Sequence, residues 1–260
     1  MTLTGTNVFD SNAGDGLDVY SGGAISSGPL SANHNGGAGA HIANNYAASA
    51  TPVTLSGPSG FSGNGIDGLE LYAQGAITAS NLTADGNHGI GSVGAYLFNA
   101  YKFTSPIKVT GTSQFANNGA RGLLIYSNGA TTMNNISSNN NGSEGLYAVG
   151  QAITVTGTNT FNNNAAQGAQ IYAGQAAVSF TRVTANSNAY DGLNISGGSK
   201  ITVTCGSFIG NGTSGSGYGW ETQPPASITL IGINNTGNQS GPYDTNGGFM
   251  PAIQPTCPLQ

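Results

Sequence analysis

The stretch Gly157-Thr158-Asn159-Thr160-Phe161-Asn162-Asn163-Asn164 decides the fold, because its pattern recurs along the whole chain of 260 residues. In each copy an aromatic or aliphatic residue is followed three positions later by Asn, Asp or Thr, and successive copies of that polar residue lie 21 to 33 residues apart. The pairs are Phe9/Asn12, Leu30/Asn33, Phe61/Asn64, Leu82/Asp85, Phe115/Asn118, Ile136/Asn139, Phe161/Asn164, Val183/Asn186, Phe208/Asn211 and Ile233/Thr236. An internal repeat of this length is typical of a protein built from stacked units.

The composition limits the class of protein. Only 6% of the residues are charged and 43 are glycine, which on its own would suit a disordered chain. The 37% of hydrophobic residues, however, fall in a regular pattern, which predicts a packed core. A net charge of −5 with five Lys or Arg argues against nucleic acid or an anionic membrane as a partner. No apolar run is long enough to span a membrane, so we expect no membrane insertion.

Each repeat is predicted to form three short strands of alternating apolar and polar residues, separated by Gly, Asn and Ser turns. A unit of about 25 residues cannot bury its own apolar face, so the units must stack and pair their strands in parallel, about 4.8 Å apart. The turn glycines, each followed by an apolar, a variable and an apolar residue, are Gly16, Gly39, Gly68, Gly94, Gly122, Gly145, Gly168, Gly192 and Gly217. We predict an all-β, single-stranded, right-handed parallel β-helix (β-solenoid) of about ten rungs, a rung being one circuit of the chain.

The repeated pair has a structural meaning in such a solenoid. The Phe residues would alternate with the aliphatic residues down one interior edge. The Asn column would lie at a corner, where Asn tolerates a left-handed backbone and its amide bonds the rungs above and below. Because the column runs the whole length and singles out no rung, we interpret it as structural.

The chain therefore resembles the parallel β-helix repeat family, the solenoid shared by pectate lyases, phage tailspikes and bacterial surface adhesins. The column from Asn12 to Asn211 resembles the asparagine ladder of those proteins, and the resemblance covers nearly all of the chain. It implies the fold. It does not select a function, since the fold hosts lyases, hydrolases, adhesins and passive spacers.

The candidate catalytic residues are Asp18, His41 and Glu70, which occupy one outward column on three successive rungs. Asp18 and Glu70 would lie about 10 Å apart, near the upper limit for the two carboxyl groups of an inverting glycosidase. No basic residue flanks them and no catalytic motif of the family is present, so a solvated polar face is the alternative. His34 and His88 lack matching partners, and we predict no metal site and no cofactor.

A second outward face is rich in Thr and Ser. One column is predicted to hold Thr4, Ser26, Ser56, Thr78, Thr110, Thr132, Thr156, Ser179, Thr204 and Thr229, and its neighbour to alternate between Ala and Thr or Ser, with Lys108 in its middle. Flat Thr-x-Thr arrays resemble the water-ordering face of β-helical antifreeze proteins, so ice binding is one hypothesis. Thr also favours strands, and a small-residue face would suit side-by-side packing of solenoids.

A third feature is aromatic. Tyr20, Tyr72, Tyr126 and Tyr172 end equivalent strands on alternate rungs. The longest loops, 43–52 and 98–106, flank the rung of Tyr72, and function on solenoids tends to lie where insertions gather. The candidate ligand-binding residues are Tyr46, Tyr72, Gln74, Phe98, Tyr101, Phe103 and Tyr126. Tyrosine suits a sugar ring or a protein partner; the alternative is that these rings only cover a corner.

The two ends of the chain carry further expectations. Met1 begins within a repeat, from which we infer a fragment of a longer chain. We divide the sequence into a β-helix (1–240) and a capping tail (241–260) with Pro251, Pro255 and Pro258. Cys205, at a turn position of the ninth rung, is predicted to form a disulfide with Cys257 in the tail; two free thiols are the alternative. A disulfide would indicate an extracellular or cell-surface protein.

Taken together, these features favour a non-catalytic extracellular scaffold or adhesin-like module that binds a glycan or a protein partner along the tyrosine-lined face. A polysaccharide lyase or hydrolase of the β-helix type is the alternative, and ice binding is the third hypothesis. The scaffold hypothesis is favoured because no rung breaks the repeat with converging catalytic side chains.

Overall fold

The computed structural model describes residues 1–223, 227–246, 251–254 and 256–257. Within these ranges the regular structure consists of 29 strands and no helix, arranged in two parallel sheets of 19 and 10 strands. The chain winds into a β-solenoid of about ten rungs, so the predicted all-β parallel architecture is confirmed.

Each rung contributes a first and a second strand to the larger sheet and a third strand to the smaller one. Rungs one to four contain β1 (Thr2–Leu3), β2 (Asn7–Val8), β3 (Leu17–Tyr20), β4 (Ile25–Ser27), β5 (Leu30–Ser31), β6 (Ala40–Ala43), β7 (Val53–Leu55), β8 (Ser59–Gly60), β9 (Leu69–Tyr72), β10 (Ile77–Ser80), β11 (Leu82–Thr83) and β12 (Ala95–Phe98). Rungs five to seven contain β13 (Ile107–Thr110), β14 (Ser113–Gln114), β15 (Leu123–Tyr126), β16 (Thr131–Asn134), β17 (Ile136–Ser137), β18 (Leu146–Gly150), β19 (Ile153–Thr156), β20 (Asn159–Thr160) and β21 (Ala169–Ala173).

In rungs eight and nine the first two strands merge into one. These rungs contain β22 (Val178–Thr184), β23 (Leu193–Gly197), β24 (Ile201–Ile209) and β25 (Tyr218–Thr222). Rung ten contains β26 (Ile228–Ile231), β27 (Asn234–Thr236) and β28 (Gly241–Asp244), and β29 (Ala252–Gln254) pairs with β26. Strands β28 and β29 thus extend the two sheets into the predicted capping tail; Pro255 and Pro258 of that tail lie outside the described residues.

The interior packing differs from the prediction. The register of the second strands places Phe161 beside Ser138 and Ala185, not beside aliphatic residues. The large residues therefore alternate with small ones in one column, which contains Phe9, Ala32, Phe61, Ala84, Phe115, Ser138, Phe161, Ala185 and Phe208. The aliphatic residues occupy a separate column, as Leu30 does opposite Asn7. The predicted single column of Phe and aliphatic residues is wrong, and the true repeat spans two rungs.

The asparagine ladder is present with a different membership. Asn141 accepts hydrogen bonds from the backbone N–H and the side-chain amide of Asn118, both at 3.0 Å, and donates to Asn164 Oδ1 at 3.0 Å. The same bonds continue through Asn12, Asn35, Asn64, Asn87, Asn118, Asn141, Asn164, Asn188, Asn211 and Asn238. Only alternate members of the predicted column belong to it.

The other predicted members lie two residues before the ladder, in a more exposed column. Asn139 accepts from the backbone N–H of Asn162 at 2.7 Å, and Asn186 accepts from Ile209 N at 2.8 Å. Asn33 and Asp85 make equivalent bonds, to Ser62 N and Ala116 N. Thr236, the last predicted member, is exposed at the end of β27. The two ladders look like one in the sequence because their motifs alternate along the chain.

The turn glycines are required because a side chain at these positions would clash with the buried ladder. A Cβ atom on Gly145 would lie 2.7 Å from Asn164 Nδ2 and from the carbonyl oxygen of Gly168, closer than non-bonded atoms approach. The ninth member of this column is Gly219 and not Gly217, because the register places Trp220 opposite Leu193. Trp220 thereby takes an interior position that leucine fills in the rung before.

A disulfide fixes the end of the solenoid. Cys205 and Cys257 are joined, with their Cα atoms 5.3 Å apart. Cys205 has a left-handed backbone (φ 58°) at a corner where Gly157 and Gly232 are also left-handed. A Cβ atom on Gly232 would lie 2.6 Å from Cys257 N, so the absence of a side chain there lets the terminal segment approach.

Candidate functional site

The ten-stranded sheet presents two outward columns of side chains on its third strands. One column is in register from Asp18 through His41, Glu70, Tyr96, Leu124, Tyr147, Gln170 and Asn194 to Glu221. The other contains Tyr20, Ala43, Tyr72, Phe98, Tyr126, Val149, Tyr172 and Ser196. Parallel pairing without a register shift stacks these side chains at the strand spacing of about 4.8 Å.

Rings from both columns join into one continuous line over seven rungs, which we call the aromatic stripe. It consists of Tyr20, His41, Tyr72, Tyr96, Phe98, Tyr126, Tyr147 and Tyr172, with centroids of contacting rings 5.0 to 6.1 Å apart. The sequence analysis treated the two columns separately and so missed Tyr96 and Tyr147 as partners of Tyr72 and Tyr126. These contacts are diagonal: a side chain on one strand touches a side chain two positions along on the neighbouring strand. A search along each column by itself does not find them.

The rings of the stripe are only partly exposed. Tyr20 and Tyr172, at its two ends, are 62% and 41% exposed, whereas the rings between them are half-buried. Burial raises the pKa of Tyr96 and of Tyr147 to about 12, and burial together with the carboxylate of Glu70 raises the pKa of Tyr72 further. The phenol groups therefore stay protonated at any physiological pH and remain hydrogen-bond donors.

The two long loops meet over the middle of the stripe. Tyr101 stacks on Phe98 with ring centroids 4.7 Å apart, and its hydroxyl accepts a hydrogen bond from Asn45 Nδ2 at 3.2 Å. Gln74 Nε2 donates to the backbone oxygen of Asn45 and holds the first loop down. These contacts fix Tyr101 beside the stripe. The two loops thereby partly cover the rung of Tyr72.

Two of the predicted ligand-binding residues lie away from this cluster. Tyr46 is 82% exposed and makes no ring contact with the other described residues. Phe103 has Lys102 Nζ 5.6 Å from its ring centroid, but it makes no ring contact with the stripe within the described part of the chain. The loops therefore bring one aromatic ring, that of Tyr101, to the stripe.

The candidate catalytic residues lie at the N-terminal end of the stripe, on rungs one to three. His41 Nδ1 is hydrogen-bonded to Asp18 Oδ1 at 2.9 Å, and the His41 ring contacts Tyr72. Glu70, on the next rung, accepts a hydrogen bond from the Tyr72 hydroxyl at 3.2 Å. Among the described residues no group of three or more His, Cys, Asp or Glu side chains could hold a metal ion.

Asp67 is a charged neighbour that sequence analysis missed. Burial raises its pKa to about 6, with a further contribution from repulsion by Glu70, although the backbone N–H of Val93 donates to it at 2.6 Å. Asp15 and Asp191 accept equivalent backbone bonds from Ala38 and Tyr218. This shared contact shows that an aspartate just before the turn glycine accepts a backbone N–H of the next rung.

The raised pKa of Asp67 makes the stability of the protein pH-dependent. Because the folded state prefers the protonated carboxyl group, the stabilisation is present below the unfolded pKa and is lost as the pH rises through about 6. In Asp67→Asn, which keeps the acceptor for Val93, we expect this loss to disappear. Between pH 4 and pH 7 the unfolding free energy of the wild type should fall by about 1 to 2 kcal/mol relative to the variant, after allowance for solvent screening. Urea denaturation at both pH values measures this, and parallel changes in the two proteins would contradict it.

The positive charge of Arg121, near the C-terminal half of the stripe, is neutralised by a carboxylate of the protein. Arg121 Nε lies 2.8 Å from Glu144 Oε2, and the Arg121 guanidinium lies 4.6 Å from the centroid of the Tyr147 ring. This arginine is thus engaged both as an ion-pair partner and as a cation on an aromatic face. The guanidinium of Arg121 is therefore fully engaged by groups of the protein itself.

The Thr and Ser face lies on the first strands of the larger sheet, and its register corrects the prediction. One column contains Thr2, Ser26, Thr54, Thr78, Lys108, Thr132, Thr154, Ser179, Thr202 and Thr229. The column beside it includes Ser80, Thr110, Asn134, Thr156, Thr181 and Thr204. The predicted alternation of Ala with Thr is wrong, because the sequence alignment of alternate rungs was displaced by two residues. Lys108 is the one charged residue in the first column.

No protein-family model, curated protein or solved structure matches this chain. Among the described residues no helix is long and apolar enough to cross a membrane.

Proposed function

We propose that the chain is a non-catalytic extracellular scaffold that binds an extended glycan along the aromatic stripe. The observation that supports this most is the unbroken line of ring contacts from Tyr20 to Tyr172. Such a line is not needed by the fold, because the same columns hold Asn194 and Ser196 on the next rung without interrupting the strands. Tyrosine presents a flat apolar face with a polar tip, which matches the faces and hydroxyl groups of sugars.

The shape of the stripe favours a linear ligand over a compact one. The rings follow the long axis of the solenoid, so a linear polymer can contact several of them at once, whereas a compact ligand would meet only one or two. The net charge of −5 and the pairing of Arg121 with Glu144 favour a neutral glycan over a polyuronate. The disulfide between Cys205 and Cys257 supports an extracellular setting.

Binding to a panel of soluble neutral glycans and to polygalacturonate, measured by affinity electrophoresis, tests the proposal. The double variant Tyr72→Ala, Tyr126→Ala should weaken binding to a neutral glycan about thirtyfold, at about 1 kcal/mol for each lost aromatic contact. Tyr190→Ala is the matched control, since Tyr190 is 44% exposed but makes no ring contact with the other described residues. Absence of binding to every glycan would overturn the proposal. Release of oligosaccharides that Glu70→Gln abolishes would instead indicate a polysaccharide-active enzyme.

Ice binding is the second candidate, and the corrected register of the Thr and Ser face favours it. Regularly spaced hydroxyl and methyl groups on a flat parallel sheet can order water, and Lys108 interrupts the array. We expect Lys108→Thr to increase thermal hysteresis and Thr78→Tyr to abolish it, while Ser196→Tyr on the other sheet leaves it unchanged. A wild-type protein without measurable thermal hysteresis, and no gain in Lys108→Thr, would exclude this candidate.

A further inference from the structure

The rings of the aromatic stripe alternate between its two columns from one rung to the next. On odd rungs a ring lies in the column of Tyr72, and on even rungs a ring lies in the column of Tyr96. In rung order the alternating rings are those of Tyr20, His41, Tyr72, Tyr96, Tyr126, Tyr147 and Tyr172. Phe98 is an additional ring on rung four, in the column of Tyr72. The stripe therefore contains a zigzag that repeats every two rungs.

The positions between the rings of the zigzag hold side chains of other kinds. They are Ala43 and Val149 in one column, and Glu70, Leu124 and Gln170 in the other. Both columns face outward on every rung, so the packing of the core does not decide which of the two carries the ring. The zigzag is therefore a property of the surface.

The dimensions of the zigzag match a polymer that places one unit on each rung. Equivalent rings, such as those of Tyr72 and Tyr126, belong to strands two rungs apart, a distance of about 10 Å. In an extended β-1,4-linked hexopyranose chain the rise per sugar is close to the rung spacing of about 4.8 Å. Each sugar of such a chain is turned over relative to the one before, so its hydroxymethyl groups alternate from side to side. The ligand and the zigzag thus share a two-unit period.

Chains with other linkages do not share this geometry. The α-1,4-linked and β-1,3-linked polymers of glucose curve into helices, so their sugars leave a straight line after a few units. The rings are also inclined to one another, by 79° between Tyr72 and Tyr96 and by 77° between Tyr96 and Tyr126. Because a flat crystalline surface would need coplanar rings, the zigzag suits a single polymer chain.

The two long loops lie at one side of the stripe. They begin directly after β6 and β12, at the end of the third strands where Tyr72 and Phe98 lie. Tyr101 makes its ring contact with Phe98, and the rings of Tyr96 and Tyr147 in the other column remain partly exposed. A polymer that follows the axis is therefore bordered by the loops on the side of Tyr72.

Given the glycan binding proposed above, on which this inference rests, we propose that the ligand is a single neutral chain of β-1,4-linked hexopyranoses. The chain lies along the zigzag with one sugar on each rung. Tyr20 and Tyr172 are separated by six rung spacings, about 29 Å, so the zigzag accommodates about seven sugars. The affinity should rise with chain length up to this limit and then remain constant.

Hexaoses that differ in linkage test the inference. Cellohexaose, maltohexaose and laminarihexaose all consist of glucose, with β-1,4, α-1,4 and β-1,3 linkages, and mannohexaose is a second neutral β-1,4-linked hexamer. By isothermal titration calorimetry we expect cellohexaose or mannohexaose to bind at least about tenfold more tightly than maltohexaose and laminarihexaose. The corresponding trimer should bind at least about tenfold more weakly than its hexamer, because it meets half as many rings.

The outcomes separate this inference from the glycan function itself. Equal or tighter binding of maltohexaose or laminarihexaose would contradict the β-1,4 linkage and leave glycan binding in place. Failure of both β-1,4-linked hexaoses to bind would overturn the inference, and binding of any other neutral glycan of the panel would still support the proposed function. Absence of binding to every glycan overturns both.

A rearranged stripe tests the alternation. The double variant Leu124→Tyr, Tyr147→Leu keeps the number of rings but moves one from rung six to rung five, where Tyr126 already lies. We expect it to bind the preferred hexaose about tenfold more weakly, and Leu124→Tyr alone to bind at least as tightly as the wild type. Tyr96→Leu, which removes a ring from an even rung, should also weaken binding about tenfold. Circular dichroism identifies the folded variants, and unchanged binding in those that remove or move a ring would overturn the inference.

Discussion

Replacing Asn141 by Ala should lower the free energy of unfolding by about 3 to 5 kcal/mol, because four buried hydrogen bonds of about 1 kcal/mol each are lost together. Asn141 is 2% exposed. Its Oδ1 accepts both the backbone N–H and the side-chain amide of Asn118, and its Nδ2 donates to Phe115 O and to Asn164 Oδ1, all at 3.0 Å. In the variant the backbone N–H of Asn118 loses its acceptor in an interior that water does not reach, while Phe115 O, Asn164 Oδ1 and Asn118 Nδ2 each keep one other hydrogen bond. Equilibrium urea denaturation followed by circular dichroism measures the effect.

Asn139→Ala is the matched control on the same rung. Asn139 accepts from Asn162 N and donates to Ser137 and Thr160, but it lies in the more exposed ladder where water can replace those bonds. We expect a loss of about 1 kcal/mol or less. The sequence pattern assigned Asn139 to the main ladder and omitted Asn141, so equal losses in the two variants would contradict the register described above.

Phe161→Ala should lower the free energy of unfolding by about 4 kcal/mol, in the middle of the range for deletion of a buried aromatic ring. Phe161 is fully buried, and its column neighbours on the adjacent rungs are Ser138 and Ala185, which are too small to move into the space. The ladders above and below hold the backbone and prevent collapse of the cavity. The shift in the midpoint of urea denaturation, with an unchanged slope, reports this loss.

Phe161→Leu serves as the comparison because it retains most of the apolar volume. We expect it to cost about 1.5 kcal/mol or less, as other core substitutions of similar volume do. If Phe161→Ala were as mild as Phe161→Leu, the neighbouring rungs would have to repack, and the rigid alternation of large and small residues would be wrong.

The fold was predictable from the sequence because glycine, asparagine and apolar residues recur with the same function on every rung. The register was not. The Phe/Asn and aliphatic/Asn motifs look alike at a spacing of three residues, yet Asn12 belongs to the buried ladder and Asn33 to the exposed one. Only the backbone pairing distinguishes an offset of two residues, since both alignments keep the same side chains facing inward.

The candidate site was predictable in part for the same reason. Tyr72 and Tyr126 were found as members of one column, and the register places Phe98 between them. The interleaving of Tyr96 and Tyr147 depends on diagonal contacts across strands, and the raised pKa of Asp67 depends on its burial. Neither property is a feature of a repeat motif.

The alternation of large and small core residues also restricts how such a chain can change in length. Successive Phe residues of the core column lie 46 to 54 residues apart, which is two rungs. Duplication or loss of one rung would place two Phe rings, or two small residues, in direct succession, and would either overpack the interior or leave a hole. Gain or loss of a pair of rungs preserves the alternation. The protein is therefore expected to have lengthened in even steps, with the pair of rungs as its unit of inheritance.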